Sequence, residues 1–292
     1  MSTTPFVSVI VPVWNGAGEI EKCVAALSTQ SYPRERYEIL VVDNGSSDDT
    51  PDILARLADI KVLSEREPGS YCARNLGLRH AAGDVIAFTD ADCVPDPTWI
   101  ETGAARLSER PDAGLVGGRI ELFSRASESE TCRLYELTFS FDQETTIRKG
   151  RCATANWMSP LAVLRKTGGF NAQLKSGADF ELSRRLFDAG LALLYERDMV
   201  VRHPFRGGWA ELLNKRRRTT GGNWALLEGK RAKLRYMAGI PFGWAQRIAI
   251  VASNTSIPLH RKPGVAALVS ALSIVQIAEI IRLAFGGNPR RR

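Results

Sequence analysis

The sequence predicts an α/β fold: a mostly parallel sheet with helices on both faces, followed by a helical appendage at the C-terminus. Three observations carry this expectation. Through the first 120 residues, short apolar runs alternate with stretches of helical periodicity. Runs such as "VSVIVPV" and "EILVV" are too continuously apolar for a sheet with one wet face. Three of the runs end in polar loops, "WNGAGE", "DNGSSDDT" and "DADC", and in open sheets of this kind ligands bind where the carboxyl ends of the strands meet their loops.

The elements follow in order. Strands are expected at Val7 to Val13, Glu38 to Val42, Lys61 to Leu63, Val85 to Thr89 and Leu115 to Phe123. Between them Ile20, Cys23, Val24 and Leu27 recur at helical spacing, as do Ala73, Leu76 and His80, and Ile100, Ala104 and Leu107. Pro51 and Pro97 suit first helical turns, and Thr98 with Glu101 fits a capping box. Ser159 and Pro160 read as the start of a helix that Gly168 and Gly169 end. Asp179 opens another, with Leu182, Leu186 and Phe187 as its apolar face and Gly190 as its stop.

Composition narrows the class. A chain of 292 residues with 44 % apolar content supports one large domain, or one domain with an appendage. Five scattered cysteines with no C-x-x-C pair argue against a disulfide framework and against a zinc site. The net charge of +7 is concentrated after residue 200, in "NKRRR" (Asn214 to Arg218), "HRK" (His260 to Lys262) and the terminal "PRRR". Such runs suit diphosphate or anionic lipid. Nucleic acid is set aside, since no helix-turn-helix, zinc-finger or RNP-type signature stands beside the charge. The N-terminal segment lacks the pattern of a secretory leader, so a cytoplasmic location is expected.

The chemistry concentrates on Asp90 and Asp92, two residues apart at the end of an apolar strand, where both side chains can point the same way. Two such carboxylates repel unless a cation lies between them. A hard divalent ion sharing its sphere with substrate phosphates needs only one or two protein carboxylates. A D-x-D alone also occurs in ordinary turns, and its position at a strand end is what gives it weight.

Four blocks, "VSVIVPVWNG", "EILVVDNGSSDDT", "GSYCARNLGL" and "GDVIAFTDADCVPDPTWI", occur in the order and spacing seen in family 2 glycosyltransferases, which are inverting enzymes with a GT-A fold. The chain resembles that family over about residues 6 to 224. The resemblance implies that Asp43 reads the nucleotide base, that Arg74 lies against base or phosphate, that Asp90 is near ribose and metal, and that Asp92 ligates Mn2+ or Mg2+. Pro12, Trp14, Asn15, Asn44 and Ala91, in the same blocks, belong to the donor site on this reading. The general base falls on Asp179. There the family usually reads Glu-Asp, whereas this chain has Ala178 before the aspartate. A helix N-terminus lowers the pKa of such a carboxyl and burial raises it, and sequence leaves that balance open. Read without the upstream blocks, Asp179 is an N-cap.

His203 falls where some members carry a third metal ligand, and an imidazole tilts the preference toward Mn2+. Asn156, Trp157, Arg206 and Trp209 are expected on the acceptor or diphosphate side, with Arg216 to Arg218 as further diphosphate partners. The expected division is a GT-A domain over 1–225, its nucleotide-sugar half 1–123 and its acceptor-side half 124–225, then a helical, membrane-associated segment over 226–292. The donor expected from the resemblance is a UDP-sugar and the acceptor a glycan or lipid-linked sugar, at the inner face of the cytoplasmic membrane. A sugar-nucleotide nucleotidyltransferase and a non-catalytic nucleotide-sugar-binding protein stay open as alternatives. The first of these normally has a glycine-rich phosphate loop with a following lysine, and "PVWNGAGEIEKC" offers only Gly16 and Gly18.

From Gly264 to Phe285 the chain approaches the length of a membrane span, yet Gln276, Glu279 and Arg282 lie in its second half. Ser270, Ser273, Gln276, Glu279 and Arg282 step by three, so on a straight helix they spiral instead of forming one wet face. Membrane attachment, by spanning or by lying on the surface, and packing on the enzyme body are the readings that remain. A helical partner is expected between Ile240 and Leu259.

Overall fold

The computed structural model describes residues 4–125 and 128–289. The last three arginines of the terminal basic run lie outside the described residues. The strands are β1 Val7–Val13, β2 Tyr37–Asp43, β3 Lys61–Ser64, β4 Val85–Phe88, β5 Val94–Pro95, β6 Ala113–Phe123, β7 Trp157–Pro160 and β8 Ala192–Pro204. The helices are α1 Ile20–Ser28, α2 Thr50–Arg56, α3 Ser70–His80, α4 Trp99–Ser108, α5 Glu130–Phe139, α6 Gln143–Arg148, α7 Leu161–Lys166, α8 Ala178–Asp188, α9 Trp209–Ala225, α10 Gly229–Ser253 and α11 Lys262–Ala284.

The chain divides into two compact units. One comprises Met1–Glu121, Asp142–Gln173 and Ala178–His203, and the other Leu122–Phe141, Leu174–Gly177 and Pro204–Arg292.

The eight strands among the described residues form one mixed sheet in the order β3-β2-β1-β4-β7-β6-β8-β5, with helices on both faces. The half that the apolar runs foreshadow is parallel: β1 lies between β2 and β4, and β3 pairs with β2. Beyond β4 the pairings turn antiparallel, β4 with β7, β7 with β6 and β8 with β5. An antiparallel neighbour needs no crossover helix, so this half has no β-α-β alternation for the sequence pattern to show. Val9, Ile10 and Val11 of β1 are fully buried, each contributing roughly 1.5–3 kcal/mol by leaving water. Register then aligns the strand ends: Val13 faces Asp43, Asp43 faces Ser64, and Ile10 faces Phe88. The polar loops after β1, β2 and β4 therefore open on one edge.

Local details depart from the sequence expectations in physically clear ways. Thr98 is the N-cap residue of α4, but its side chain makes no capping bond, and the Glu101 carboxylate instead accepts from Ser31 Oγ at 2.7 Å. Ser159 is a strand residue whose hydroxyl donates to the Gly114 carbonyl at 2.8 Å, so the helix begins only at Leu161. Phe187 is exposed, with the Arg184 guanidinium 5.3 Å from its ring, while Leu182 and Leu186 do enter the core. Gly118 in β6 is required by close approach: a Cβ there would meet the Met199 carbonyl oxygen at 1.9 Å.

In the second unit the core is built by Cys132, Leu134 and Tyr135 of α5, Leu212 of α9, Val251 of α10, Ile257, and Val265, Leu268, Val269 and Leu272 of α11.

Candidate active site

The site grows from the aligned strand ends of the first unit. Asn15 follows β1 with a left-handed backbone, φ 50°. Its N–H donates to Ser46 Oγ at 2.9 Å, and its Oδ1 accepts from the Ser47 N–H at 2.8 Å. The Gly16 N–H donates to Thr50 Oγ1 at 2.9 Å. These bonds sew the loop after β1 to the loop after β2. Pro12 and Trp14 are half-buried beside them.

Asp43 ends β2 half-buried, and its Oδ1 accepts from the Ser46 N–H at 3.1 Å in a short Asx-type turn. Asn44 is buried and bonded on both sides of its amide. Its Nδ2 donates to the Glu65 and Glu67 carbonyls at 3.0 and 2.8 Å, and its Oδ1 accepts from the Gly69 N–H at 2.7 Å. Asn44 thus holds the loop that delivers α3.

α3 brings Arg74 and Tyr71 to the same edge, three residues apart on one helix face. Arg74 is 3 % exposed and its guanidinium forms an ion pair with Asp90. The Tyr71 ring lies 5.7 Å from the Arg74 guanidinium and stacks on Phe170 at 5.6 Å. The Tyr71 hydroxyl donates to Asp179 Oδ1 at 3.0 Å. A continuous chain of contacts, Asp90 to Arg74 to Tyr71 to Asp179, therefore joins the two acidic centres.

Asp179 lies in the first turn of α8, half-buried at the residue level. Burial pushes its carboxyl pKa above the ordinary carboxylate value, against the downward pulls of the Tyr71 hydroxyl, the Arg74 charge and the backbone N–H groups of Phe180 and of Asp179 itself. The balance that sequence left open falls on the side of burial. Glu181, a turn further on, is tied to Arg185 at 2.6 Å.

Ala91 and Asp92 follow Asp90 half-buried. His203, at the end of β8, is 5 % exposed and places Nε2 3.8 Å from Asp92 Oδ2. Asp92, Cys93 and His203 offer ligand atoms within 4.8 Å of one another. Burial holds the Cys93 thiol pKa well up, and its Sγ donates to Asp92 Oδ1 at 3.8 Å. Asp92 and His203 are then the better donors, and one carboxylate oxygen with one imidazole nitrogen fits Mn2+, with Mg2+ the harder alternative.

The first unit thus collects Pro12, Trp14, Asn15, Asp43, Asn44, Arg74, Asp90, Ala91, Asp92, Asp179 and His203. Two residues expected on the acceptor side lie inside the sheet. Asn156 and Trp157 are fully buried. Asn156 donates to the Arg119 and Met199 carbonyls at 2.8 Å each and accepts from Trp99 Nε1 at 2.8 Å, while Trp157 Nε1 donates to Ser159 Oγ at 2.6 Å. They hold the sheet core and have no surface to offer a substrate. Arg206 and Trp209 belong to the second unit. There Arg206 pairs with the fully buried Glu136, and Trp209, 37 % exposed, begins α9. Arg216 donates to the Tyr135 hydroxyl at 3.2 Å and Arg218 to Ser176 Oγ at 3.4 Å. Tyr71 was not foreseen. Its one signal in the sequence is a phenol three residues before Arg74, on the same helical face.

The fold and this acidic edge define a family. The family model for glycosyl transferase family 2 matches residues 8–166, just over half of the chain, and the chain belongs to that family. It is 38 % identical over 227 residues to the glycosyltransferase AglE of Haloferax volcanii, covering 76 % of this chain and 74 % of AglE. It is 30 % identical over 212 residues to the pre-mycofactocin glycosyltransferase of Mycobacterium tuberculosis, covering 68 % of this chain but 43 % of that protein. Among solved structures, the mannosyltransferase PcManGT from Pyrobaculum calidifontis, in complex with GDP-Man and Mn2+, shares the fold at TM-score 0.66 and 22 % identity, over 97 % of this chain and 88 % of that one.

Proposed function

We propose that the chain is a metal-dependent, inverting GT-A glycosyltransferase that moves a sugar from a nucleotide-diphosphate donor to an acceptor hydroxyl. The reaction takes place at the cytoplasmic face of a membrane, in the assembly of a cell-envelope or extracellular polysaccharide or a glycolipid. Residues 1–225 carry the transfer, with the donor half in 1–123 and the acceptor-side half in 124–225, and residues 226–292 form the membrane-associated helical segment. The observation that carries the reading is the Tyr71 to Asp179 hydrogen bond, because it ties the base to the same helix that holds the donor-side Asp90.

Asp179 takes the proton from the acceptor hydroxyl as that oxygen attacks the anomeric carbon on the face opposite the nucleotide. The bond from that carbon to the diphosphate breaks, and its electron pair leaves with the diphosphate. A base of this kind is worth ~10²–10⁴-fold, most when its pKa lies near the working pH, which a raised carboxyl approaches. Asp92 and His203 would hold Mn2+ or Mg2+, which would supply Lewis-acid stabilisation of the departing charge. Asp43 presents its carboxylate to the nucleotide base, and Arg74, fixed by Asp90, faces the donor.

The family resemblance favours a UDP-sugar, whereas PcManGT holds GDP-Man. The experiment is a panel of nucleotide sugars with Mn2+ or Mg2+, scored for nucleotide release that depends on an added acceptor. Asp179→Asn is its control. Release of pyrophosphate instead, or binding without turnover under every condition, overturns the assignment.

A further inference from the structure

Within the second unit, α10 and α11 leave a row of large apolar side chains exposed while α11 buries three polar ones. The two helices run antiparallel: Trp244 Nε1 donates to Ser270 Oγ at 3.0 Å, and Gln276 Nε2 donates to the Tyr236 hydroxyl at 3.1 Å. The polar residues of α11 point inward, with Ser273 7 %, Gln276 9 % and Glu279 3 % exposed, and the Glu279 carboxylate paired with Arg282. Ile280 and Leu283 are buried beside them, at 1 and 7 %, but other large apolar residues of this half point out. Ile274, Ile277, Ile281 and Phe285 form one stripe of 43 to 89 % exposure, and Leu234 and Phe242 of α10 are 63 and 80 % exposed. A helix bathed in water does not leave such an apolar stripe wet while burying a glutamine and a glutamate. Leaving so many large apolar side chains wet forgoes roughly 1.5–3 kcal/mol for each that could be buried.

Two further observations identify what covers this face. The sequence 230–235 places Lys230, Arg231, Lys233 and Arg235 at the start of α10. Antiparallel packing brings that start toward the end of α11 that carries Ile281 and Phe285, with Lys230, Arg231 and Arg235 exposed and the Lys233 ammonium 4.9 Å from the Trp224 ring. An apolar stripe accompanied by lysine and arginine is complementary to an anionic lipid surface, each cation adding about 1 kcal/mol near it. Trp244, 41 % exposed, suits the interfacial layer. The second observation concerns depth. α11 has 23 residues, and an 18-residue window within the helical stretch Leu259–Ala284 reaches a mean hydropathy of 2.0, long and apolar enough to cross a membrane by length and composition. Yet Val265, Leu268, Val269 and Leu272, in its first half, are buried against Cys132, Leu134, Tyr135 and Leu212. A helix that spends half its length in a protein core does not pass through lipid along that length.

We infer that the outer face of the α10–α11 hairpin docks on an anionic bilayer and lies along its surface instead of crossing it. This deepens the membrane placement proposed above. It rests on side-chain distribution alone, so it stands or falls separately from the transfer chemistry. The test is flotation of the full chain with vesicles of phosphatidylcholine alone or of phosphatidylcholine with phosphatidylglycerol. The chain is expected to float with the anionic vesicles at least tenfold more than with the neutral ones, to lose that preference at high salt, and to be released by alkaline carbonate. Ile281→Asp with Phe285→Asp should abolish flotation. Lys230→Glu with Arg231→Glu should remove the anionic preference, and these exposed substitutions should leave circular dichroism and Tm unchanged. Flotation unaffected by both pairs, or resistance to carbonate, overturns the inference. So does failure to bind vesicles together with a concentration-dependent dimer that the aspartate pair dissolves, since the face would then cover a second copy.

Discussion

The Tyr71 hydroxyl donates to Asp179 Oδ1 at 3.0 Å while its ring lies 5.7 Å from the Arg74 guanidinium that pairs with Asp90. One phenol thus touches both the proposed base and the arginine that pairs with Asp90. Because a bond to the charged carboxylate favours that form, Tyr71 opposes the upward push of burial on Asp179. Tyr71→Phe keeps the ring and its stacking on Phe170 and deletes only the donor. The base should then hold its proton to higher pH. Since a general base works only when deprotonated, the acid limb of the kcat/KM profile should move to higher pH, with about a tenfold loss at neutral pH, in the range of a hydrogen bond to a charged group. An unmoved limb would show that the phenol merely packs.

Asp179→Asn should separate stability from activity. A carboxyl whose folded pKa is raised favours folding below its unfolded value and loses that contribution as pH climbs through the folded value. At neutral pH the ionised Asp179 is therefore a burden on the fold. An amide still accepts from Tyr71 and carries no charge. The variant should melt higher than the parent at pH 7, with the difference vanishing at low pH, while transfer falls by ~10²-fold or more. Thermal scans across pH beside a transfer assay measure both.

What the sequence makes legible and what it hides follows from the range of the interactions. The strand ends carrying Asn15, Asp43 and Asp90 are readable because continuous apolar runs mark β1, β2 and β4, and parallel pairing aligns their ends. The left-handed Asn15 and the turn after Asp43 carry local signals. Tyr71 is hidden because an aromatic residue inside a helix reads as core, and its partner is 108 positions away. Asn156 misleads for the converse reason: nothing local distinguishes an amide that will bond three core groups from one that will meet a substrate. The triplet spacing in α11 reveals the spiral of polar residues, but which side is buried depends on α5 and α9, which lie far off in sequence.

Asp92→Ala should lower metal-dependent donor binding by at least ~10-fold, and His203→Gln should act more selectively. Imidazole favours Mn2+ over Mg2+, so its loss should narrow the difference between the two ions. Titration calorimetry of nucleotide with each ion checks both. A His203→Gln protein that keeps the parental preference would remove His203 from the ligand set.

Asn156→Ala should damage the fold before it damages catalysis. It leaves the Arg119 and Met199 carbonyls and Trp99 Nε1 without their partner in a dry core, and each such buried orphan costs about 1–3 kcal/mol. Chemical denaturation should show a large loss of stability. Activity per folded molecule, measured well below the new midpoint, should stay within a few-fold of the parent. A selective rise in acceptor KM at unchanged stability would restore Asn156 to the acceptor side.

In the second unit, burial pushes the Lys215 pKa down to about 7, reinforced by Arg206, Arg218 and Arg216 and opposed by Glu136. Its ammonium lies 5.3 Å from the Phe141 ring centroid. An unfolded lysine keeps its proton to about pH 10.4. A lysine with a depressed folded pKa gives stability that is present above the unfolded value and is lost as pH falls through the folded one. Between about pH 7 and 10 the unfolded chain binds the extra proton, so this residue makes stability rise with pH there. Lys215→Met keeps the length of the side chain and removes the charge. It should raise Tm at pH 7 and flatten the pH dependence above it, at ~2–4 °C for each kcal/mol in a domain of this size. Solvent reaching the half-buried Lys215 will reduce the gain. Thermal unfolding from pH 6 to 10 decides the matter, because a variant whose curve keeps the parental slope would place the titration on another group.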